Sequence, residues 1–308
     1  MDTSGIHSGS WVVGFWARHH GAHFSEASLF GIGRTAWYGF DPTAQDPRFY
    51  TYHPNRVMRT LIALNIATAV YRRVTAARLP SPHAELARGF PVLLEVNEAR
   101  LTPAGSGQDG YCLCYMGQAG DASPELIPVH TPHNVEEPLA VEAGTLVSAW
   151  QQPTPLGYQH TVYVPMARTI ATSLAHVIPH SISQYVAQMT ESLSGERPGG
   201  LDGLRAFIRY CRRNDSAVAT TLHGALESDG GPHSQRTLMS HFLLEAAAIL
   251  GQPSLRAVAT LYEEIAALWI EVMRSVALKL LPTTICDALD GILQLETAAV
   301  GTLARLQS

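Results

Sequence analysis

The chain contains no block of lysine and arginine and no stretch in which aromatic and basic residues alternate. Nucleic-acid binding needs a basic surface that displaces counterions from phosphates, and the formal net charge here is −5, so no nucleic-acid partner is expected. Long apolar runs are also missing. None approaches the roughly 18 residues that cross a bilayer. The longest candidate, VMRTLIALNIATAVY (57–71), carries Arg59 and Asn65 and reads as a core helix, so no membrane partner is expected. No positively charged segment followed by an apolar one stands at the start, and a cytoplasmic location is the expectation. Cysteine is scarce: Cys112, Cys114, Cys211 and Cys286 form neither a CxxC pair nor a dense framework, which fits reduced thiols. Cys112 and Cys114 share one face of a strand, a placement suited to core packing. No internal repeat and no low-complexity tract is visible.

Metal and cofactor signals are equally thin. His7, His19, His20 and His23 cluster in sequence, but none pairs with a carboxylate at i,i+4, and the one i,i+4 pair, His19 and His23, straddles the helix-ending Gly21. The G-x-G of Gly31 and Gly33 lacks the preceding strand that a phosphate loop needs, so backbone turns are its plainer role. No metal and no cofactor are expected.

What is present is a core-forming composition and a change of period. Hydrophobic residues make up 46% of the 308 residues and charged residues 15%, enough for two domains or one large one. Ser8 or Ser10 is placed to cap a helix running to about His20, with Trp11, Phe15 and Trp16 as its apolar stripe and Gly21 as its stop. Val57, Leu61, Leu64 and Ala67 predict a helix over 55–71, and SPHAELARG (81–89) starts another. Strand-like runs follow at 90–97, 110–118, 125–132 and 160–165, with Pro128 confining the third to an edge or a bulge. Beyond about residue 166 the pattern is helical. Met239, Phe242, Leu243, Ala246, Ile249 and Leu250 line one face of a helix capped by Ser234 and stopped by Gly251 and Pro253. Leu255, Val258, Tyr262, Ile265, Trp269, Val272 and Val276 line the next, and Thr284 with Asp287 nearly forms a capping box for the last. LSGERPGGLDG (193–203) reads as a flexible break. Helices followed by a strand meander, then helices, argue an α+β fold divided into 1–165 and a helical domain 166–308.

Several motifs together resemble a known family. HSGSWVVGFWARHHGAHFSEASLFGIG, ARGFPVLLEVNEARL and GYCLCYMGQAGD resemble, in order, the opening, a strand and the central strand of the butirosin biosynthesis protein H-like N-terminal domain. RTLMSHFLLEAAAILGQPSLRAVATLYEEIAALW is similar to the helical domain that often follows it. The resemblance implies a papain-like fold of the cysteine-protease type. It also implies acyl transfer from a carrier-protein thioester to an amine in antibiotic assembly, a reaction that needs a thiolate, a histidine base and a group that orients the base.

Carried over by position, the nucleophile falls on Ser8, the histidine on Tyr111 and the orienting acid near His130. Serine keeps the geometry of a helix-terminal cysteine without its acidity. Tyrosine, with a reference pKa of about 10, is a poor base. Ser8 has the alternative of an ordinary helix cap, Tyr111 of strand core, and His130, with His133, of an exposed Pro-flanked loop. Glu26, in the Ser-Glu step, either caps the following helix or faces substrate. The resemblance sets His7, Trp11, Phe30, Gly31 and Gly33 along the substrate path.

Three functions follow as expectations. The first is acyl transfer through Ser8, with His130 as base. The second is non-covalent acid/base chemistry, such as cyclisation of a polyketide- or peptide-like intermediate, with Tyr111, Glu26 and His130 as acid and base. The third is a non-catalytic pseudoenzyme that binds a pathway intermediate or a protein. The ligand in the first two is a small-molecule or carrier-tethered acyl substrate. The long stripe from Leu255 to Val276 exceeds what one small domain needs and suggests a homodimer.

Overall fold

The computed structural model describes residues 7–43, 47–53, 56–66, 68–71, 92–97, 111–117, 125–129, 162–165, 170, 172–191, 198–214, 218–227 and 231–307. The helix expected to start near Ser81, the loop with His130 and His133, and most of the linkers between the strands lie outside these residues. The fold is α+β and rich in helix. The chain forms two compact units that are not simple N- and C-terminal halves. A sheet unit holds Asp2–Ser25 and Thr60–Ala171, and a helical unit holds Glu26–Arg59 and Thr172–Ser308.

In the sheet unit, β3 (Thr68–Tyr71), β4 (Val92–Asn97), β5 (Tyr111–Gly117), β6 (Glu125–Val129) and β7 (Val162–Pro165) form an antiparallel sheet in the order β3-β7-β4-β5-β6. β4 and β5 pair from Val92↔Met116 to Asn97↔Tyr111, and this register sets Cys112 opposite Val96 and Cys114 opposite Leu94. Pro128 pairs with Cys114 on β6, an edge strand, where a missing N–H can face away from the ladder. Helix α1 (Ser8–His19) packs against β5 and β6. Trp11, Val12, Val13, Trp16 and Ala17 are buried, and the Arg18 guanidinium lies 4.5 Å from the Trp11 ring. The helix ends as expected at Gly21. With φ at 77°, Gly21 lets Ala22 N–H reach Ala17 O (2.9 Å) and its own N–H reach Arg18 O (3.0 Å).

The helix expected over 55–71 is shorter. Helix α3 spans Arg56–Ala63, and Asn65 then takes φ 56°. The N–H of Ile66 bonds Leu61 O and that of Asn65 bonds Ile62 O, so the helix closes and the β-branched run after it becomes β3. Periodicity alone extended the helix through a residue that tolerates the left-handed region.

In the helical unit, β1 (Ala36–Asp41) and β2 (Arg48–Tyr52) form a separate antiparallel ribbon. Around it stand α2 (Glu26–Ile32), α4 (Leu174–Thr190), α5 (Gly200–Cys211), α6 (Val218–Glu227), α7 (Gly231–Leu250), α8 (Leu255–Ala277) and α9 (Pro282–Gln307). α7 packs on α8, α8 on α9, α2 on α7 and α5 on β1. The last contact is close: a Cβ at Gly203 would stand 2.9 Å from the carbonyl oxygens of Tyr38 and Pro198. The flexible break expected across 193–203 is therefore helix from Gly200 onward, held against β1 by the Phe40 N–H to Pro198 O bond of 3.1 Å.

Two caps were misplaced by sequence. α7 begins at Gly231, ahead of Ser234, and α9 begins at Pro282, ahead of Thr284, with proline where its missing N–H costs nothing. Ile249 leaves the apolar face of α7 and is 42% exposed. The stripe of α8 is spent inside the unit, since Leu255, Val258, Tyr262, Ile265, Trp269 and Val272 are all buried. It therefore supplies no argument for a dimer. Among the described residues no helix is long and apolar enough to cross a membrane.

Candidate functional site

The first candidate lies at the start of α1. His7 is fully buried and adopts an extended backbone, and its Nδ1 accepts the Ser10 N–H at 3.1 Å. His7 is thus the N-cap, with Ser8 the first and Ser10 the third helical residue, instead of Ser8 or Ser10 acting as the cap. Ser10 Oγ also stands 3.0 Å from the same nitrogen and is itself buried. An Nδ1 that accepts a backbone donor carries no proton, so the ring proton sits on Nε2. The His7–Ser10 pair is consequently a cap and not a base poised over a nucleophile. Trp11, 8% exposed, belongs to the buried face of α1. Tyr111 is the first residue of β5, opposite Asn97 at the end of β4. His130 lies outside the described residues, immediately after β6.

The remaining expected residues belong to the helical unit. Glu26 opens α2, where the helix dipole favours a carboxylate. Phe30 and Gly31 are buried in α2. A Cβ on Gly31 would come within 2.1 Å of Phe242 Cγ, so close contact between α2 and α7 accounts for this glycine. Gly33 precedes Arg34, which takes the left-handed φ of 52° and closes α2 through Thr35 N–H to Phe30 O (3.3 Å). His7, Ser8, Trp11 and Tyr111 thus fall in one unit, and Glu26, Phe30, Gly31 and Gly33 in the other.

Sequence reasoning missed a cationic cluster in the helical unit. Arg34 Nη1 donates to Gln184 Oε1, and Arg59 Nη1 donates to Gln188 Oε1. Gln188 Nε2 in turn donates to Arg34 O at 3.3 Å, and Gln184 Nε2 stands 2.6 Å from His180 Nε2. His53 stands beside these arginines, its ring 5.2 Å from that of Trp37. Burial first, then the charges of Arg59, Arg34 and Arg56, push its pKa down to about 3. Burial followed by the charge of Arg34 lowers Arg59 to about 10, and burial lowers Arg34. The only sequence signal was the Arg56 and Arg59 pair at i,i+3, facing nothing recognisable until α4 is placed.

A second missed feature is a fully buried polar network. Glu296 Oε1 accepts from Tyr38 Oη at 2.6 Å and from Arg236 Nε at 2.8 Å, and all three side chains lie in the core. Arg236 also donates to Thr51 O at 3.2 Å and lies 4.3 Å from the Tyr38 ring centroid. Trp269 Nε1 donates to Tyr38 Oη at 3.4 Å. Burial alone would lower the Arg236 pKa, but Tyr38 and Glu296 hold it above its ordinary value. Burial drives Tyr38 well above the usual phenol range, so it stays a neutral donor. Beside it, Tyr185 and Tyr262 share a hydrogen bond of 2.7 Å, and burial raises both. Tyr38 Oη, Trp269 Nε1 and the Nε and Nη1 of Arg236 are each locked to a partner in the core, which is the arrangement of a structural pin, while Arg236 Nη2 and Glu296 Oε2 make no hydrogen bond among the described residues. Among the described residues no group of three or more histidine, cysteine, aspartate or glutamate side chains is placed to hold a metal ion.

No family model matches the chain, and no curated protein matches it.

Proposed function

We propose that this chain is an enzyme of natural-product assembly. It acts on an acyl, polyketide- or peptide-like intermediate, free or tethered to a carrier protein. Its scaffold is papain-like but no longer uses a thiol, and its chemistry is non-covalent acid/base catalysis. One observation carries the reading: α1, with Ser8 at its first helical position, packs against β5, whose first residue is Tyr111. Those are the elements on which the resemblance places nucleophile and histidine.

The residues present suit proton transfer better than covalent attack. The Nδ1 of His7 is committed to the helix cap, so it is not the base that a serine nucleophile requires. A phenol keeps its proton at neutral pH and serves as a general acid at Tyr111. With the Ser10 N–H committed to His7 Nδ1, the amides of Ser8 and Gly9 stand ahead of the first intrahelical bond, which runs from Trp11 N–H to His7 O at 2.9 Å. Such amides stabilise negative charge developing on a carbonyl oxygen.

The test is turnover of a panel of acyl and β-ketoacyl thioesters, followed by mass spectrometry of the products. Loss of a general acid costs about 10²–10⁴ in rate, so Tyr111→Phe is expected to lose at least 100-fold. A Tyr111→Phe protein that turns over as fast as the parent overturns the assignment. A parent protein that binds the thioesters without converting them makes the chain a binder.

A further inference from the structure

We propose that Arg34 and Arg59 form an oxyanion site in the helical unit that takes a phosphoryl group, with His53 beside it. The proposal stands apart from the reading of Ser8 and Tyr111, since it uses neither residue. Its first support is charge. Each guanidinium spends one nitrogen on a neutral amide oxygen, Gln184 for Arg34 and Gln188 for Arg59. These glutamines are one turn apart on α4 and share a face, so they hold the two arginines side by side. Among the described residues no carboxylate pairs with either arginine. Burial and then the charge of Arg34 lower the proton affinity of Arg59, and burial lowers that of Arg34, with no carboxylate among the described residues to compensate either. Like charges held together and partly withdrawn from water are costly unless an anion joins them.

The second support is unspent donor capacity. Arg34 Nε is buried and makes no hydrogen bond among the described residues. Arg34 also sits at a left-handed φ of 52°, a conformation better suited to glycine, although α2 would close equally well with glycine there. A phosphate monoester carries close to two negative charges near neutral pH and offers three oxygens, which matches two guanidinium forks. A carboxylate would match only one. Arg56, one turn before Arg59 on α3, adds positive potential, and His53, neutral at physiological pH, adds a polar edge without further charge.

The experiment is a titration of the full chain with inorganic phosphate at constant ionic strength, read by thermal shift and by NMR of the His53 ring, with acetate as a second arm. The expected result is saturable stabilisation by phosphate up to about 20 mM, with weaker stabilisation by acetate. A bound anion beside His53 should raise its depressed pKa. Arg59→Met and Arg34→Gly should each weaken phosphate binding at least tenfold. Arg34→Gly removes the guanidinium while relieving the left-handed residue, so the protein remains folded for the test. A parent that shows no saturable response overturns the proposal. So does a phosphate response that survives in both variants, or a His53 pKa that phosphate leaves in place. Equal stabilisation by acetate overturns the phosphoryl assignment.

Discussion

Replacing Arg236 by methionine should destabilise the helical unit by about 3–5 kcal/mol, because it leaves the Glu296 carboxylate buried beside a single donor, Tyr38. The magnitude follows from what the side chain does. It makes one charge-assisted bond of about 1.5–3 kcal/mol to Glu296 and one ordinary bond of about 1 kcal/mol to Thr51 O. It also makes a desolvated cation–π contact of about 2 kcal/mol with Tyr38. These contributions overlap, so their sum is a ceiling. Glu296→Leu should cost a similar amount by leaving the guanidinium uncompensated. The double variant Arg236→Met/Glu296→Leu removes both charges and keeps the volume, so it should recover most of the loss, with a coupling energy of about 3 kcal/mol. Urea unfolding followed by tryptophan fluorescence reports on this directly, since Trp269 donates to Tyr38 within the same network. Single variants within 1 kcal/mol of the parent, or a double variant whose loss is the sum of the singles, would refute the claim that the pair pins this core.

Two further predictions follow. Gly31→Ala should cost about 1–3 kcal/mol, because its Cβ would stand 2.1 Å from Phe242 Cγ, and pairing it with Phe242→Leu should return part of that loss in the same unfolding assay. His53, near 6.5 when unfolded and about 3 when folded, is neutral in both states above pH 6.5. As pH falls from 6.5 toward 3 only the unfolded chain gains the proton, so stability declines, by at most about 2 kcal/mol at pH 5 in phosphate-free buffer. His53→Gln should flatten that slope, and an unchanged slope would place the titration elsewhere.

The parts legible in the sequence were those governed by local rules. Strands β4, β5 and β7 followed from apolar runs, Pro128 marked an edge strand, and Gly21 marked the end of α1. The stripe of α8 from Leu255 to Val272 was also correctly the buried face. The ribbon β1–β2 is built from AWYGFD and RFYTY, two short runs that flank a turn-like segment and carry no strict apolar–polar alternation. Three helices end on non-glycine residues at positive φ, namely Arg34, Asn65 and Lys279, and of these only Asn65 is a residue that a terminator rule admits. Histidine capping its own helix at His7 falls outside the Ser, Thr, Asp and Asn preference, which points instead to Ser8 and Ser10. The arginine cluster and the Tyr38–Arg236–Glu296 network join residues from distant segments, and only the packing of α4, α7 and α9 against the segment around β1 and β2 brings them together. Part of the candidate site inferred by resemblance, from His7 to Tyr111, falls in one unit, while Glu26 and the Gly31–Gly33 step fall in the other.

The most direct test of the non-covalent reading is intact-mass spectrometry of the protein during turnover of an acyl thioester, run beside Ser8→Ala. The parent mass should stay unmodified, and Ser8→Ala should retain measurable turnover. An acyl adduct on the parent that disappears, together with all activity, in Ser8→Ala would contradict it and make Ser8 the nucleophile.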